Sequence, residues 1–508
     1  METPTGSIIT IVTARVPNNL AMKRLACFLL SALLLAACGP KAHDAAPAGV
    51  LPAIWPDYVG VTVPATIAPL DFTLPGAEAL NVSLTAPDGT VLRSGGKTAT
   101  CFSEKRWADL LQRSAGDSIC VSVSGLYDGK WRSFTPFGIY VSADAIDYGL
   151  TYRMLEPGYE VYSKMGIYER ELSTFRQRAL LENTQFDGCV NCHASRKDDP
   201  GTWTLHIRGS HGATLLRQDG EIRAYDTKTD ATLGFCVYPY WHPSGRYIAY
   251  STNSTRQGFH VQPDKLIEVF DLDSDIQVYD TETNQLITAP QVKRSEIWET
   301  FPVFSPDGRT LYFTAAKQVE IPGELPQLRY NLMKVDFDPE TGTIGSDVEL
   351  LIDAATQGQS LCFPRPSYDG KYLMYTRCDY GTFPIWHHEA DLWLLDLATG
   401  ASRPVEEANS ADTDSFHNWS SNSRWFVFSS RRDDGLFTRL YIAHFDENGV
   451  AGKPFLLPQR DPKAYYEKLF FSYNVPEFVT GPVPLERINA QKAINAPARI
   501  HFGFKPSE

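Results

Sequence analysis

The chain has 508 residues, a formal net charge of −13, and 43% hydrophobic and 12% aromatic residues. This composition buries large cores and is not that of a disordered chain, while the acidic balance leaves no basic stripe to neutralise phosphates and argues against nucleic acid as a partner. The 34 prolines and 36 glycines, many in Asp-Gly and Pro-Asp-Gly turns, favour a mainly β protein with many short strands.

Met22-Lys23-Arg24 followed by the apolar run 25–35 has the form of an export signal, too short to span a bilayer. Leu35-Ala36-Ala37-Cys38-Gly39 then resembles the bacterial lipobox, where small residues admit the signal peptidase and the cysteine takes a lipid. The bland alternative is an ordinary signal peptide with an incidental cysteine. The expected organisation is a lipoprotein signal over 1–38 with Met22 as the true start, lipidation at Cys38, and a flexible tether over 39–51. Gly39 after the cysteine resembles outer-membrane sorting, so a lipid-anchored protein of the cell envelope is expected.

Residues 52–150 read as a β-rich, sandwich-like domain, with turns at Asp88-Gly89 and Asp128-Gly129. One helix is expected after Ser103, with Trp107, Leu110 and Leu111 on one face. Over 151–200 a short helical segment is expected. Ile167, Leu172, Phe175, Ala179 and Leu180 share a 3.6-residue face that ends near Asn183, ahead of Cys189-Val-Asn-Cys192-His193.

From 201 to 485 a repeat appears. Tyr238-Pro-Tyr-Trp-His-Pro-Ser-Gly-Arg, Phe301-Pro-Val-Phe-Ser-Pro-Asp-Gly-Arg, Phe363-Pro-Arg-Pro-Ser-Tyr-Asp-Gly-Lys and Phe416-His-Asn-Trp-Ser-Ser-Asn-Ser-Arg align without gaps. A second element recurs around Asp226, Asp280, Asp338, Asp396 and Asp446, spaced by 50 to 58 residues. That period marks a β-propeller, in which units too small to bury both faces stack into a ring. Five units are countable. A sixth would combine the stretch after Lys468 with a strand from elsewhere, and 486–508 would be a tail. These repeats, with Ser429-Ser-Arg-Arg-Asp-Asp-Gly, resemble the TolB-like family of six-bladed propellers. The order of β-domain, Cys-x-x-Cys-His and propeller is also similar to a group of bacterial lipoproteins, as are Tyr152-Arg-x-x-Glu-Pro-Gly-Tyr-Glu160 and Tyr380-Gly-Thr-Phe-Pro-Ile-Trp-His387. The resemblance implies architecture, not activity.

Cys-x-x-Cys-His is the standard signature of covalent haem c: two thiols add to the porphyrin vinyls and the adjacent histidine ligates iron. Zinc needs about four ligands, and there is no second Cys-x-x-Cys. A thioredoxin-like dithiol would open a helix in a βαβ unit, whereas β-pattern follows here. One covalent haem c on Cys189, Cys192 and His193 is therefore expected, with His206 as the leading second iron ligand. Met154, Met165, His211, His242, His260, His387 and His417 are competitors, and an open iron site would suit gas or peroxide chemistry. The other cysteines allow Cys101–Cys120 and Cys362–Cys378 pairs, with Cys236 a buried small hydrophobe. Asp271-x-Asp273-x-Asp275 lacks a calcium-loop glycine and reads as a solvated turn. No Gly-x-Ser-x-Gly elbow, phosphate loop or His-Glu-x-x-His occurs.

The function expected from the sequence is electron transfer by an exported monohaem lipoprotein. Its propeller would dock a redox or scaffold partner of the envelope. The alternatives are a TolB-like binding scaffold with structural or sensory haem, and a haem enzyme.

Overall fold

The computed structural model describes residues 45–157, 164–186, 188–262, 265–485, 487–496 and 498–504. The expected signal segment and Cys38, the expected lipidation site, lie outside them. Seven sheets are formed, one in an N-terminal domain and six in a ring.

The sandwich-like expectation takes the form of one forked seven-stranded sheet. Its long central strand, Asp117–Tyr127, pairs with Ala79–Thr85 along one edge. Along the other edge it pairs with Lys130–Ser133 and then Phe137–Ser142. The strand alternates buried and more exposed residues over most of its length, as a half-covered antiparallel strand should. The expected helix is present as Glu104–Arg113. It buries Trp107, Leu110 and Leu111, and Trp107 Nε1 donates to the Ile67 carbonyl at 3.0 Å. The core of this domain runs without a break into the neighbouring propeller blades.

The propeller has six blades. Blade 1 is Gly149–Leu155, Met165–Glu171 and Gln177–Glu182, closed on its inner edge by the C-terminal strand Ser472–Val479. Blade 2 starts with Gly188–Arg196 and runs through Asp199–Gly209 and Ala213–Gln218 to Glu221–Asp226. Blades 3 to 6 start at Cys236–Trp241, Ile297–Phe304, Ser360–Pro366 and Asp414–Trp419, each followed by three more antiparallel strands. Ile500–His501 and Gly503–Phe504 add parallel edge strands to blades 2 and 3. The sixth blade thus arises as expected, from the stretch after Lys468 and strands upstream.

Three expectations are corrected. The segment 165–182 is a β-hairpin, not a helix. Its apolar residues match a helical face only because a turn separates the two strands. At that turn Ser173 Oγ donates to Glu171 at 2.9 Å, and Thr174 Oγ1 accepts from the Arg176 amide at 3.1 Å. Local side-chain bonding of this kind competes with helix. The propeller consequently begins at Gly149 rather than 201, and the cysteine motif is the inner strand of blade 2 rather than a segment ahead of it. Finally, Asp271 and Asp275 belong to the long strand Ile267–Asp280, not to a turn. Asp271 is buried and accepts from Thr255 Oγ1 and Asn253 Nδ2, both at 2.9 Å.

The seven described cysteines are free. Cys101 and Cys120 are exposed, and Cys236 is buried. Cys362 and Cys378 sit diagonally, opposite Thr376 and Ser360 respectively, with their thiols hydrogen-bonded.

The Pro-Asp-Gly turns are tight where blades meet. Gly308 has φ +75°, and a Cβ there would lie 2.1 Å from Nε2 of His242, which is hydrogen-bonded to the Gly308 carbonyl at 3.0 Å. Gly308→Ala is expected to cost about 2–4 kcal/mol, from left-handed strain plus the displaced imidazole. At the equivalent Gly370, with φ +72° and nothing within 4 Å, alanine should cost only about 1–2 kcal/mol. Urea denaturation midpoints of the two variants check the difference.

Candidate functional site

The inner strands of all six blades carry a β-bulge at the same position, each with one residue in the left-handed region. These residues are Cys192, Tyr238, Phe301, Phe363, Phe416 and Val475, with φ between +34° and +52°. The strand register shifts at each of them. A bulge bends its strand and re-aims the side chain. Here the repetition points six side chains into one cavity of about 430 Å³ at one end of the central channel.

The cavity is asymmetric. Tyr238, Phe301, Phe363 and Phe416 form an arc, with successive ring centroids 4.8, 4.5 and 4.7 Å apart. Phe383 packs over the arc, 5.6 Å from Phe301. Cys192 stands where the arc breaks. Cys189, Asn191 and His193 line the same wall beside Met165. Burial pushes the Cys192 thiol up, against a weaker pull from Arg208, so it is protonated at neutral pH. Burial and the Arg153 charge push His193 down to about 4, which leaves a neutral imidazole. That ring is hydrogen-bonded to the Thr151 main chain, while its Nε2 is buried without a partner.

His193 follows its bulge as Pro239, Pro302, Pro364, His417 and Pro476 follow theirs. The motif is therefore also a copy of the propeller repeat, with Cys192-His193 in place of aromatic-Pro. The aligned aromatics that open each repeat were the sequence signal for the cavity. What hid its other two sides was that Cys192 and Val475 are not aromatic.

The structure brings Cys189, Cys192 and His193 onto one wall and leaves His206 off it. His206 lies on the adjacent strand opposite Asn191, with Nδ1 3.0 Å from Thr214 Oγ1 and its ring against Phe235 at 5.4 Å. Burial pushes it down to about 3. Of the other ligand candidates, Met165 lines the cavity. Met154 accepts from Gln177, His242 is hydrogen-bonded to Gly308, and His387 is 2.8 Å from Glu268. Among the described residues, no group of three or more His, Cys, Asp or Glu side chains is arranged to hold a metal ion.

Composition gave no warning of the cavity's charge. Arg153, Arg208, Arg256 and Arg365 line it, and no Asp or Glu does among the described residues. Arg153 donates to the Asn191 side chain between the two cysteines, and Arg208 is the cross-strand partner of Cys189. A long hairpin of blade 3 carries Arg256. Its strands Tyr247–Phe259 and Ile267–Asp280 outreach their neighbours and contribute Thr255 and Val269 to the wall.

No family model matches the sequence, and no curated protein matches it. Solved structures do. The periplasmic gluconolactonase PpgL of Pseudomonas aeruginosa is 16% identical, with a TM-score of 0.35 over 74% of this chain and 95% of its own. The β-propeller domain of Cps50 (Swd1) from Myceliophteria thermophila is 11% identical, with a TM-score of 0.35 over 65% of this chain and 94% of its own. A prolyl endopeptidase is 13% identical, with a TM-score of 0.33 over 61% of this chain. The match spans only 42% of that enzyme. Nothing about activity follows from likenesses at this level.

Proposed function

We propose that the protein carries one covalently bound haem in the upper cavity of its propeller and passes electrons to a partner in the cell envelope, where Cys38 anchors it by a lipid. One observation carries this reading. Two thiols and a neutral imidazole with an unpartnered, buried Nε2 share one wall of a cavity of about 430 Å³. The opposite wall is aromatic, and the only charged side chains among the described lining residues are guanidinium groups. That donor set suits an iron porphyrin with two carboxylates. Cys189 and Cys192 would hold the macrocycle and His193 would ligate iron. Met165 also lines the cavity and is a soft donor that would be available to iron, whereas His206 is held away from it. Arg153 and Arg208 flank the cysteines and would neutralise the carboxylates. When bound, haem supplies a one-electron couple. The chain's own residues hold His193 neutral through burial and orient its ring through Thr151.

A second reading has its own support. Because Cys192-His193 occupies the position of an aromatic-Pro pair, the motif satisfies the propeller repeat without any cofactor. The protein would then be a binding scaffold with a dithiol at the channel mouth.

An absorption spectrum separates the two. The soluble fragment from Gly39 should be produced with haem-maturation proteins in the periplasm. It is expected to show a reducible Soret and α-band that survives denaturation and is lost in Cys189→Ala/Cys192→Ala. A folded, colourless wild type would exclude the haem reading and leave the scaffold.

A further inference from the structure

We propose that Cys362 and Cys378 form a redox-active pair that a small peroxide oxidises to a disulfide, with His387 as the group that carries the proton. The inference does not rest on the haem reading. Both cysteines are fully buried in blade 5 and project from the same face of its two inner strands. Their thiols are hydrogen-bonded to each other, and Cys378 is also hydrogen-bonded to His387. His387 Nε2 lies 2.8 Å from Glu268 Oε1, and the Tyr380 hydroxyl donates to the same oxygen at 3.1 Å. His387 Nδ1 lies 3.3 Å from Glu389, whose other oxygen accepts from Lys265 at 2.8 Å. A thiol, an imidazole and a carboxylate in series activate a sulfur nucleophile. A second thiol beside it resolves the oxidised sulfur. Cys236 supplies the contrast. It is as buried, its thiol meets the Thr227 carbonyl at 3.7 Å, and burial pushes it up to about 12. Cys378 is pulled the other way: its bond with Cys362, then His387, holds it below its ordinary value against burial.

Burial sets the class of oxidant. The pair packs with Phe301 and Phe363, which line the cavity, and neither cysteine is exposed to bulk solvent. An oxidant must therefore be nearly as small as water, which selects a peroxide over a protein disulfide. The Cys378 sulfur attacks one peroxide oxygen. The S–O bond forms, the O–O bond breaks, and the thiol proton passes through His387 to the departing hydroxide, which leaves as water. The Cys362 sulfur then attacks the sulfenic sulfur. The S–S bond forms, the S–O bond breaks, and hydroxide leaves with the Cys362 proton as a second water. Two thiols and one peroxide give one disulfide and two waters. Diagonal neighbours on a sheet stand wider than a disulfide spans, so the backbone must shift to close the bond. The bulge between Cys362 and Arg365 is where the strand can give.

The test uses the full chain carrying Cys189→Ala/Cys192→Ala, so that neither haem nor the motif thiols consume peroxide. The protein is reduced, freed of reductant and given one equivalent of hydrogen peroxide. Peptide mass mapping after alkylation then reads each cysteine. A Cys362–Cys378 disulfide is expected to form before the exposed Cys101 and Cys120 lose their thiols, with Cys236 unreacted. Adding Cys362→Ala should leave a sulfenic acid on Cys378 that dimedone traps. Adding His387→Gln instead should slow oxidation of Cys378 about a hundredfold. Should that variant fail to fold, the order of oxidation and the dimedone adduct still decide the pair. Loss of the Cys101 and Cys120 thiols with Cys362 and Cys378 still reduced would overturn the inference, as would the absence of a Cys378 adduct in Cys362→Ala. An unchanged rate in folded His387→Gln would remove His387 from the step.

Discussion

A chain ending at Phe471 is expected to show no cooperative unfolding transition. The strand Ser472–Val479 is the inner edge of blade 1, and it joins the last stretch of sequence to Gly149–Leu155 at the start of the propeller. Seven of its eight residues are buried. Tyr473 packs edge-on against Tyr152 at 5.0 Å, and its carbonyl accepts from Thr438 Oγ1 at 2.6 Å. Glu477 accepts from the Ser195 amide of blade 2 at 3.1 Å. Losing Tyr473, Phe478 and Val479 from the core removes about 1.5–3 kcal/mol each. The lost ladder and side-chain bonds add about 1 kcal/mol apiece. The sum is on the order of 10 kcal/mol, which is the whole net stability of a typical domain, and it leaves an open, half-apolar edge on the ring. Ending the chain at Ala496 should behave differently. It removes two short outer edge strands and Phe502, which stacks on Tyr279 at 3.8 Å. That should cost about 3–5 kcal/mol while leaving a folded protein. Urea unfolding followed by far-ultraviolet circular dichroism compares the two. A sigmoidal transition at the wild-type midpoint in the shorter chain would show that the ring does not depend on this closure.

How much of this was legible in the sequence varies with the physics of each part. Blades 3 to 6 announce themselves because strand, polar turn and strand recur with an aromatic at the head and Gly or Ser in the turn, so local chemistry and global fold agree. Blade 1 does not, because its inner strand is some three hundred residues away from its other three, and no periodicity in a window can join Gly149 to Val479. Its hairpin was mistaken for a helix because two short strands across a Ser-Thr turn place apolar residues at helical intervals. The Cys-x-x-Cys-His motif was misleading as to location: the same residues also supply the inner strand and bulge of blade 2. Arg153, Arg208, Arg256 and Arg365 could not be grouped at all from sequence, since four separate strands carry them and only the ring brings them to one cavity.

Glu477→Gln is expected to stabilise the protein at pH 8 by about 3 kcal/mol and to leave it unchanged near pH 4.5. Glu477 is buried in the channel just past the bulge at Val475. Burial raises its pKa from an ordinary 4.5 to about 7, more than Arg365 and the Ser195 hydrogen bonds lower it. The folded protein therefore keeps a proton on Glu477 between pH 4.5 and 7 that the unfolded chain has released. With fewer protons bound in the unfolded state, stability falls as pH rises through that window. At roughly 1.4 kcal/mol per pKa unit, a shift of about 2.5 units gives the stated cost once the group is ionised. Glutamine keeps an acceptor for the Ser195 amide and cannot ionise. The wild-type pH profile alone would not isolate this effect. His193, His206 and His417 are held neutral at about 4, 3 and 3, and they make stability rise with pH up to their ordinary 6.5. Those terms are common to both proteins and cancel in the difference. Chemical denaturation of the two chains at pH 4.5 and 8 therefore reads Glu477 by itself, and an equal difference at both pH values would mean that packing, not charge, sets its effect.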